Sequence, residues 1–388
     1  MLRTTGRREL ISWGGERFAA FIPLPLPPDP PLQFSAPLEH QHERALLALG
    51  RLDAVSMLLP DPDLFLYGYV RREALLSSQI EGTQSSLSDL LLFELDELPG
   101  VPLDDVVEVS NYVAALELGL GLLREGLPLS NRLIRAVHGR LLATGRGAGK
   151  RPGEFRREPV WIGGPTPATA TFVPPPPEEV EQAMAELERF LNSDGPWSAL
   201  VRAGLAHVQF ETIHPFLDGN GRVGRLLVVL VLAAAGTLDR PLLYLSLYFK
   251  RNRDRYFALL DAVRERGTWE EWLEFFLAGV EQTAAAAVRT AQQITQLFDQ
   301  DRRRVRGQGR AANTALRVLA AFERRPLAGT RLVAELTGLS YASADRGVQL
   351  LRGLGILEEI TGRRRDRLYA YRDYIALLNE GAEPLARR

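Results

Sequence analysis

One stretch of twelve residues, from His214 to Arg225, constrains the fold more than any other part of the chain. It reads His-Pro-Phe-Leu-Asp-Gly-Asn-Gly-Arg-Val-Gly-Arg. The fifteen residues before it, 199–213, contain one glycine and no proline, which predicts a helix, and Pro215 disfavours helical backbone at the residue before it. From Arg222 onwards the chain is strongly apolar and predicts a second, largely buried helix. The sequence therefore predicts a tight loop at 218–221 that leads into a helix N-terminus.

The side chains of this stretch predict a site for a polyphosphate. Free N–H groups and the positive end of the helix dipole make a helix N-terminus a binding site for anions. Arg222 and Arg225 supply fork-shaped donors that match phosphate oxygens. Asp218 can hold a magnesium ion, and His214 can take a proton from an attacking hydroxyl. These groups together predict a nucleotide-using transferase, and the alternative is an ordinary helix end with an Asn-Gly turn and solvated arginines.

The same stretch resembles the motif of the Fic family, His-Pro-Phe-x-Asp-Gly-Asn-Gly-Arg-x-x-Arg, and meets every fixed position. The resemblance implies protein AMPylation, in which AMP passes from ATP to a Ser, Thr or Tyr hydroxyl of a protein, including the chain itself. It implies His214 as the general base and Asp218 as the ligand of Mg²⁺. A kinase-like branch of the family has Lys where this chain has Gly221, so the residue favours nucleotidyl transfer.

The resemblance also assigns the residues that hold ATP. It implies an anion nest, two phosphate-binding arginines and an adenine pocket. These are Gly219, Asn220 and Gly221 for the nest, with Asn220 also at the α-phosphate, Arg222 and Arg225 for the β- and γ-phosphates, and Phe257 and Leu260 for adenine. An aromatic and an aliphatic residue at helical spacing are also typical of an ordinary core.

A helix at 64–80, closed by Gly82, precedes this core in the sequence. Ser77 and Glu81 lie four residues apart near its C-terminal end, where a carboxylate is unfavourable to the helix dipole and so predicts a partner elsewhere. Taken alone, the string also suits an exposed helix end. Together with Gly82 it resembles the family's inhibitory motif, Ser/Thr-x-x-x-Glu-Gly/Asn, which implies an inhibitory helix at 64–82 that reaches Arg225.

Residues 155–175 interrupt the helices with two short β-prone runs around Gly and Pro. This pattern predicts a hairpin whose open edge could accept a substrate strand. It resembles the family's flap, and we place Trp161, Ile162 and Gly163 against the target protein, with Ile162 over the target side chain. The alternative is a surface hairpin with no role in binding.

The two ends of the chain predict additional parts. Residues 1–36 are rich in proline and predict an extended arm that wraps its own globule or serves as a ligand for another domain. Residues 310–388 predict three helices and two strands around a basic tip, which resembles a winged helix. Its arginines could contact DNA phosphates weakly; they are Arg346, Arg352, Arg363, Arg364, Arg365 and Arg367. Alternatively, this domain only packs or forms a homodimer.

Composition frames these expectations. The net charge is −1, and the chain has no cysteine, which excludes a disulfide framework. We expect a cytoplasmic protein without a membrane segment. The fold class that we predict is mainly α. It comprises an arm at 1–36, a helical region at 37–110, a Fic core at 111–300 with its flap, and a winged helix at 310–388, with residues 301–310 as a linker or helix end.

The motif leaves two rival functions open. The same phosphate site could transfer a different nucleotide or remove AMP from a modified protein. The chain could also be a DNA-binding regulator whose Fic core is vestigial, although intact His214, Arg222 and Arg225 argue against a dead core.

Overall fold

A computed structural model describes residues 3–58, 62–97, 100–238, 240 and 242–383. The chain is mainly helical, as the sequence predicts. Most of its buried side chains form one continuous core that runs from the N-terminal helices to the C-terminal segment. The helices around residues 214–225 lie near the middle of this core, so the motif is supported on several sides.

The N-terminal segment corrects the expectation of an extended arm. Strands β1 (Gly6–Trp13) and β2 (Glu16–Pro23) form an antiparallel hairpin. Gly14 and Gly15 make its turn with positive φ angles of 58° and 85°, as a tight two-residue hairpin loop requires. The prolines after residue 22 drew attention away from this signal. The segment does wrap its own globule, since the buried side chain of Phe18 packs near Val173.

The N-terminal helical region contains four helices. They are α1 (Ala36–Leu58), α2 (Pro62–Ile80), α3 (Leu87–Phe93) and α4 (Leu103–Arg124). The helix α2 covers most of the predicted inhibitory range, and Gly82 follows its end with a φ of 105°. By length and composition α4 could cross a membrane, and half of its most apolar window is buried inside the protein.

The central helices follow the predicted order closely. They are α5 (Asn131–Leu141), α6 (Pro177–Leu191), α7 (Ala199–Ile213), α8 (Asn220–Ala234), α9 (Ser246–Arg251), α10 (Arg253–Arg266) and α11 (Trp269–Arg306). Helix α8 is buried from Val223 to Leu232, which explains its apolar sequence. The basic residues after position 300 are the last turns of α11, held by the buried Val305 and by Asp301, which accepts from Tyr371 at 2.7 Å.

The flap has less regular structure than the predicted hairpin. Ile162 and Phe172 form a single antiparallel bridge, and residues Pro167–Thr169 make one turn of 3₁₀ helix between them. Prolines on both sides of the bridge remove the donors that a longer ladder needs. Strand β2 lies next to the flap, where the N–H of Phe21 donates to the carbonyl of Val173 at 2.9 Å. The segment at Phe172 and Val173 thus lies between β2 and Ile162, and the backbone of Ile162 forms the outer edge on the side away from β2.

The C-terminal segment has the elements that the sequence predicts, plus one more strand and a last helix. They are α12 (Ala312–Arg324), β3 (Leu327–Gly329), α13 (Thr330–Thr337), α14 (Tyr341–Gly353), β4 (Glu358–Glu359), β5 (Leu368–Ala370) and α15 (Arg372–Asn379). The strands pair in the order β3-β5-β4. Ser340 caps α14 by accepting from the N–H of Ser343. The assignment as a winged helix and its binding to DNA stay predictions.

This segment packs against the outer side of α2. Leu378 lies against Gly68, where an added Cβ would come within 2.6 Å of its Cδ1 atom. The Gln79 amide donates to the carbonyl of Ala382 at 3.0 Å. At the basic tip, Arg363 forms two hydrogen bonds of 2.7 and 2.9 Å with Glu97. One arginine that we assigned to DNA phosphates is thus already paired within the chain.

Candidate active site

The loop between α7 and α8 is shaped by backbone positions that few residues adopt. His214 ends α7 in the left-handed region, with φ 49° and ψ 60°, and its N–H still donates to the carbonyl of Phe210 at 2.9 Å. Gly219 begins α8 with φ 79°. The Asn220 side chain accepts from the N–H of Phe216 at 2.9 Å and donates to its carbonyl at 2.8 Å. Asn220 therefore holds the loop closed with the carboxamide that we expected at the α-phosphate.

His138 packs against the loop and holds it in place, a role that was not predicted from the sequence. Its ring stacks on Phe216 with centroids 3.6 Å apart and an angle of 4°. Its Nδ1 accepts from the N–H of Gly153 at 2.8 Å, so its Nε2 donates to the carbonyl of Asp218 at 3.0 Å. Burial lowers the pKa of His138 to about 4, which keeps the ring neutral and fixes this tautomer. The sequence around His138 does not predict this contact, because it joins α5 to a loop 80 residues away in the chain.

His214 is held in the form that a general base needs. Burial, with the positive charges of Arg156 and Arg264, lowers the pKa of His214 to about 3. Its backbone carbonyl accepts from Arg156 Nε at 2.8 Å, which fixes the left-handed residue in place. The ring is therefore neutral at pH 7, with a nitrogen available to take a proton.

Arg225 is clamped by the two residues that the inhibitory assignment names. Its Nε donates to Ser77 Oγ at 2.8 Å, and its Nη2 donates to the Ser77 carbonyl at 2.9 Å and to Glu81 Oε1 at 2.8 Å. Ser77 is fully buried, and 40% of the Glu81 side chain is exposed. Burial opposes ionisation of Glu81, but the charge and hydrogen bond of Arg225 outweigh it and lower its pKa. The two residues form an ionised pair across the cleft.

Glu81 also occupies the mouth of the loop. A Cβ atom on Gly221 would lie 2.3 Å from Glu81 Oε1, so the carboxylate rests directly on this glycine. Gly221 belongs to the first turn of α8, where the N–H groups have no partners within the helix. The carboxylate of Glu81 therefore sits beside the position in which the helix would hold a phosphate.

Arg222 is paired in a different way. Its Nη1 donates to Glu108 Oε2 at 3.0 Å, and its Nη2 lies 3.6 Å from Asp218 Oδ1. Glu108 also receives Arg146, at 2.6 Å. The Arg222 Nε is buried and has no hydrogen-bond partner among the described residues. Sequence reasoning missed Glu108, because the contact joins α4 to a residue 114 positions away in the chain.

Two regions of the chain match the Fic/DOC family over this part of the fold. Residues 40–121 match the Fic/DOC family N-terminal region, and residues 128–232 match the Fic/DOC family itself. The second match contains the whole loop and both arginines. The part of the chain at 128–232 belongs to the Fic/DOC family.

Individual Fic proteins agree with this assignment. The chain is 38% identical to the protein adenylyltransferase Fic of Drosophila ananassae over 115 residues, which cover 29% of this chain and 20% of that protein. The Drosophila melanogaster protein of the same name is 36% identical over 115 residues. The match thus spans about a fifth of the length of these curated relatives.

Solved structures show the same fold. A Fic family protein from Desulfovibrio desulfuricans G20 aligns with a TM-score of 0.59 at 20% identity, over 88% of this chain and 97% of that one. A Fic domain signalling protein from Bacteroides thetaiotaomicron aligns with a TM-score of 0.50 over 66% of this chain. The Fic fold therefore extends well beyond the loop itself.

Asp218 presents an accessible carboxylate at the edge of the Fic loop. Its side chain is 43% exposed, and Oδ1 accepts from the N–H of Gly219 at 2.6 Å. Within the described ranges, no group of three or more His, Cys, Asp or Glu residues is placed to hold a metal. A single carboxylate suits a magnesium ion that brings phosphate and water ligands with it.

For the remaining predicted site residues the structure gives exposure and neighbouring side chains only. Phe257 is 37% exposed, with Arg253 over its ring, whereas Leu260 is buried at 2%. Trp161 is 37% exposed at the flap, and Gly163 has a φ of 78° with Thr171 packed against it. The assignments of these residues to adenine and to the target protein stay predictions.

Proposed function

We propose that this chain is a protein adenylyltransferase that moves AMP from ATP to a Ser, Thr or Tyr hydroxyl of a protein, including itself. The observation that carries the proposal is the complete loop at 214–225, in which a neutral histidine ends one helix and an anion-binding glycine turn begins the next. The name of the Drosophila relatives supports it, since they are called protein adenylyltransferases.

The proposed reaction assigns a step to each part of the loop. The hydroxyl oxygen of the target attacks the α-phosphorus of ATP while His214 takes its proton, and the bond to the pyrophosphate oxygen breaks. The N–H groups at the start of α8 and the arginines bind phosphate oxygens. Pyrophosphate leaves, and the target carries AMP through a phosphodiester bond. The orphaned Nε of Arg222 supports this role, because a bound phosphate would give it an acceptor.

Magnesium fits the proposed site through Asp218. Its exposed carboxylate can bind the ion together with phosphate oxygens and water. The ion would neutralise negative charge on the departing pyrophosphate. In the nucleotide-free protein we expect Asp218 to bind magnesium poorly, since the described residues form no group of three or more His, Cys, Asp or Glu that could hold a metal.

The wild-type protein is autoinhibited in this proposal. Glu81 pairs with Arg225 and lies against Gly221. It therefore fills the space that the γ-phosphate would take and binds the arginine that would hold it. ATP could still bind, but with its α-phosphate turned away from the line of attack. Misplacement by about 1 Å can cost on the order of 10²-fold in rate.

The target protein docks on the flap in this proposal. An extended segment would pair with the backbone near Ile162, since β2 lies beside Val173 on the other side. Main-chain hydrogen bonds would align the segment, and its hydroxyl would face His214.

Labelled nucleotides test the proposal directly. Glu81→Gly protein is incubated with magnesium and each α-labelled nucleoside triphosphate, and the label on protein is measured with and without His214→Ala. We expect label from ATP, with a loss of roughly 10²–10⁴-fold on removal of the base. Labelling from another nucleotide alone, or release of AMP from modified protein without labelling, would replace adenylyl transfer by the rival chemistry. Equal labelling with and without His214 would refute the assigned base.

A further inference from the structure

We propose that Glu211 is a positioning residue for His214: its carboxylate accepts the Nδ1–H of the His214 ring and so leaves Nε2 free to take the proton. The inference rests on the proposed function, in which His214 is the base. Glu211 lies one helical turn before His214 on α7 and is not part of the motif of twelve residues.

An unpaired ring nitrogen faces a carboxylate oxygen at this point. Glu211 Oε2 lies 4.0 Å from His214 Nδ1. His214 Nδ1 and Glu211 Oε1 are both buried, and neither has a hydrogen-bond partner in the described part of the chain. An unpaired buried polar atom destabilises the folded protein. A shift of about 1 Å would bring Nδ1 and Oε2 to hydrogen-bonding distance and satisfy the ring nitrogen.

Glu211 presents two acceptors near the His214 ring, its carboxylate and its backbone carbonyl. The carbonyl also accepts from Arg264 Nη2 at 3.1 Å, so it is shared with a second donor. The N–H and carbonyl of His214 are bonded to Phe210 and Arg156. The carboxylate of Glu211 has no such bond from a described residue through its Oε1 atom.

Gly224, at a variable position of the twelve-residue stretch, makes room for the carboxylate. A Cβ atom on Gly224 would lie 2.4 Å from Glu211 Oε1 and 3.2 Å from its Cδ. Glycine inside a helix is less favourable than alanine, so a helix position that keeps it often has a packing reason. At Gly224 that reason is the approach of the Glu211 side chain to the backbone of α8.

The charge on Glu211 decides the tautomer of His214. Ionised Glu211 accepts from Nδ1–H and leaves Nε2 bare. Protonated Glu211 would instead donate to Nδ1 and place the ring proton on Nε2, where His214 could not act as a base. The groups that face Glu211 are Arg225 on α8, Arg264 and Tyr256 on α10, Glu81 after α2 and His214 itself.

These neighbours place the titration near neutral pH. Burial raises the pKa of Glu211 to about 7, although Arg225 opposes the shift. The ionised form is the competent one, so transfer should rise with pH through this region. His214 cannot produce that rise, because its own pKa is about 3. Removal of Glu81 takes away a negative neighbour and should move the midpoint to slightly lower pH.

The test compares Glu81→Gly protein with Glu81→Gly/Glu211→Gln protein, because the first is expected to be active. We expect the Gln variant to lose roughly 10²-fold in kcat with little change in KM for ATP. We also expect its rate to stay flat between pH 6 and 8, where the parent rises. Thr212→Ala serves as the matched control, since it removes the 3.2 Å bond from Arg264 in the same buried network without touching the pair.

A second readout does not depend on AMP transfer. Nitrogen-15 NMR of the His214 ring, assigned by comparison with His214→Ala, reports which ring nitrogen carries the proton. At pH 8 we expect Nδ1–H in the parent and in Thr212→Ala, and a mixture of tautomers in Glu211→Gln. A change of tautomer in a protein that transfers no AMP would support the positioning role and refute the proposed function. An active parent whose tautomer and pH profile survive Glu211→Gln would overturn the inference.

Discussion

The two arginines of the loop, Arg222 and Arg225, differ in how their glutamate partners are held. Arg222 meets Glu108 in the second turn of α4, where the glutamate side chain is 11% exposed and also binds Arg146. Arg225 meets Glu81 just beyond the end of α2, where the glutamate side chain is 40% exposed. Both arginine side chains are almost fully buried, at 4% and 3% exposure. The difference therefore lies in the acids and in the elements that carry them.

This difference separates a structural pair from a removable one. Glu108 belongs to a helix that packs on α5 and α8, so it can leave Arg222 only if the core opens. Glu81 follows the last turn of α2 and is succeeded by Gly82, so a change in this one turn could free Arg225. A bound ATP would also favour release of Glu81, since its γ-phosphate would compete for the guanidinium of Arg225.

Removal of Glu108 should have the largest effect on stability. Glu108→Ala leaves the buried Arg222 with only Asp218 at 3.6 Å, and breaking a buried pair typically costs about 3–5 kcal/mol. We expect a loss of that size in the free energy of unfolding, measured by urea denaturation, together with weaker ATP binding. The matched control is Glu117→Ala, an exposed residue of the same helix, which should change stability by less than about 0.5 kcal/mol. Equal stability of the two variants would contradict the structural role of Glu108.

Glu73 gives a smaller, pH-dependent effect on the same helix as Ser77. It is fully buried, accepts from Ser246 Oγ at 2.5 Å and from Tyr112 at 3.3 Å, and burial raises its pKa from 4.5 to about 7. Its raised pKa means that the folded protein keeps a proton that the unfolded chain releases. The associated stability is present below pH 4.5 and is lost as the pH rises to about 7.

Glu73→Gln should remove this loss of stability. Above pH 7 we expect the variant to be more stable than the wild type by at most about 3 kcal/mol, and below pH 4.5 the two should agree. Thermal unfolding across this pH range checks the prediction. A constant difference at all pH values would show that the pKa of Glu73 is the same in the folded and unfolded states.

The loop and its neighbouring helices could be predicted from local sequence. The lack of proline and the single glycine in 199–213 predicted α7, and Pro215 and the glycines at 219 and 221 marked the turn. The same reasoning found Glu81, since a carboxylate at the end of a helix needs a partner. The contact with Arg225 itself came from a family resemblance, because 144 residues separate the two in the chain.

The remaining features depend on contacts that local sequence does not encode. His138 under Phe216, Glu108 on Arg222 and Glu211 beside His214 are ordinary helix residues until the fold brings their partners close. The hairpin at 6–23 was missed because nearby prolines suggested an extended chain. The flap has one bridge instead of two strands, since its prolines limit the number of donors.

The central claim is that Glu81 restrains transfer by holding Arg225. The most direct measurement is the rate of AMP transfer from labelled ATP, to the protein itself and to lysate proteins, by wild type and Glu81→Gly. We expect Glu81→Gly to be faster by roughly 10²-fold, because the γ-phosphate can then take its place on Arg225. The Glu81→Gly/Arg225→Ala double variant should lose that gain. Equal rates for wild type and Glu81→Gly would contradict the account, and a fully active double variant would remove Arg225 from it.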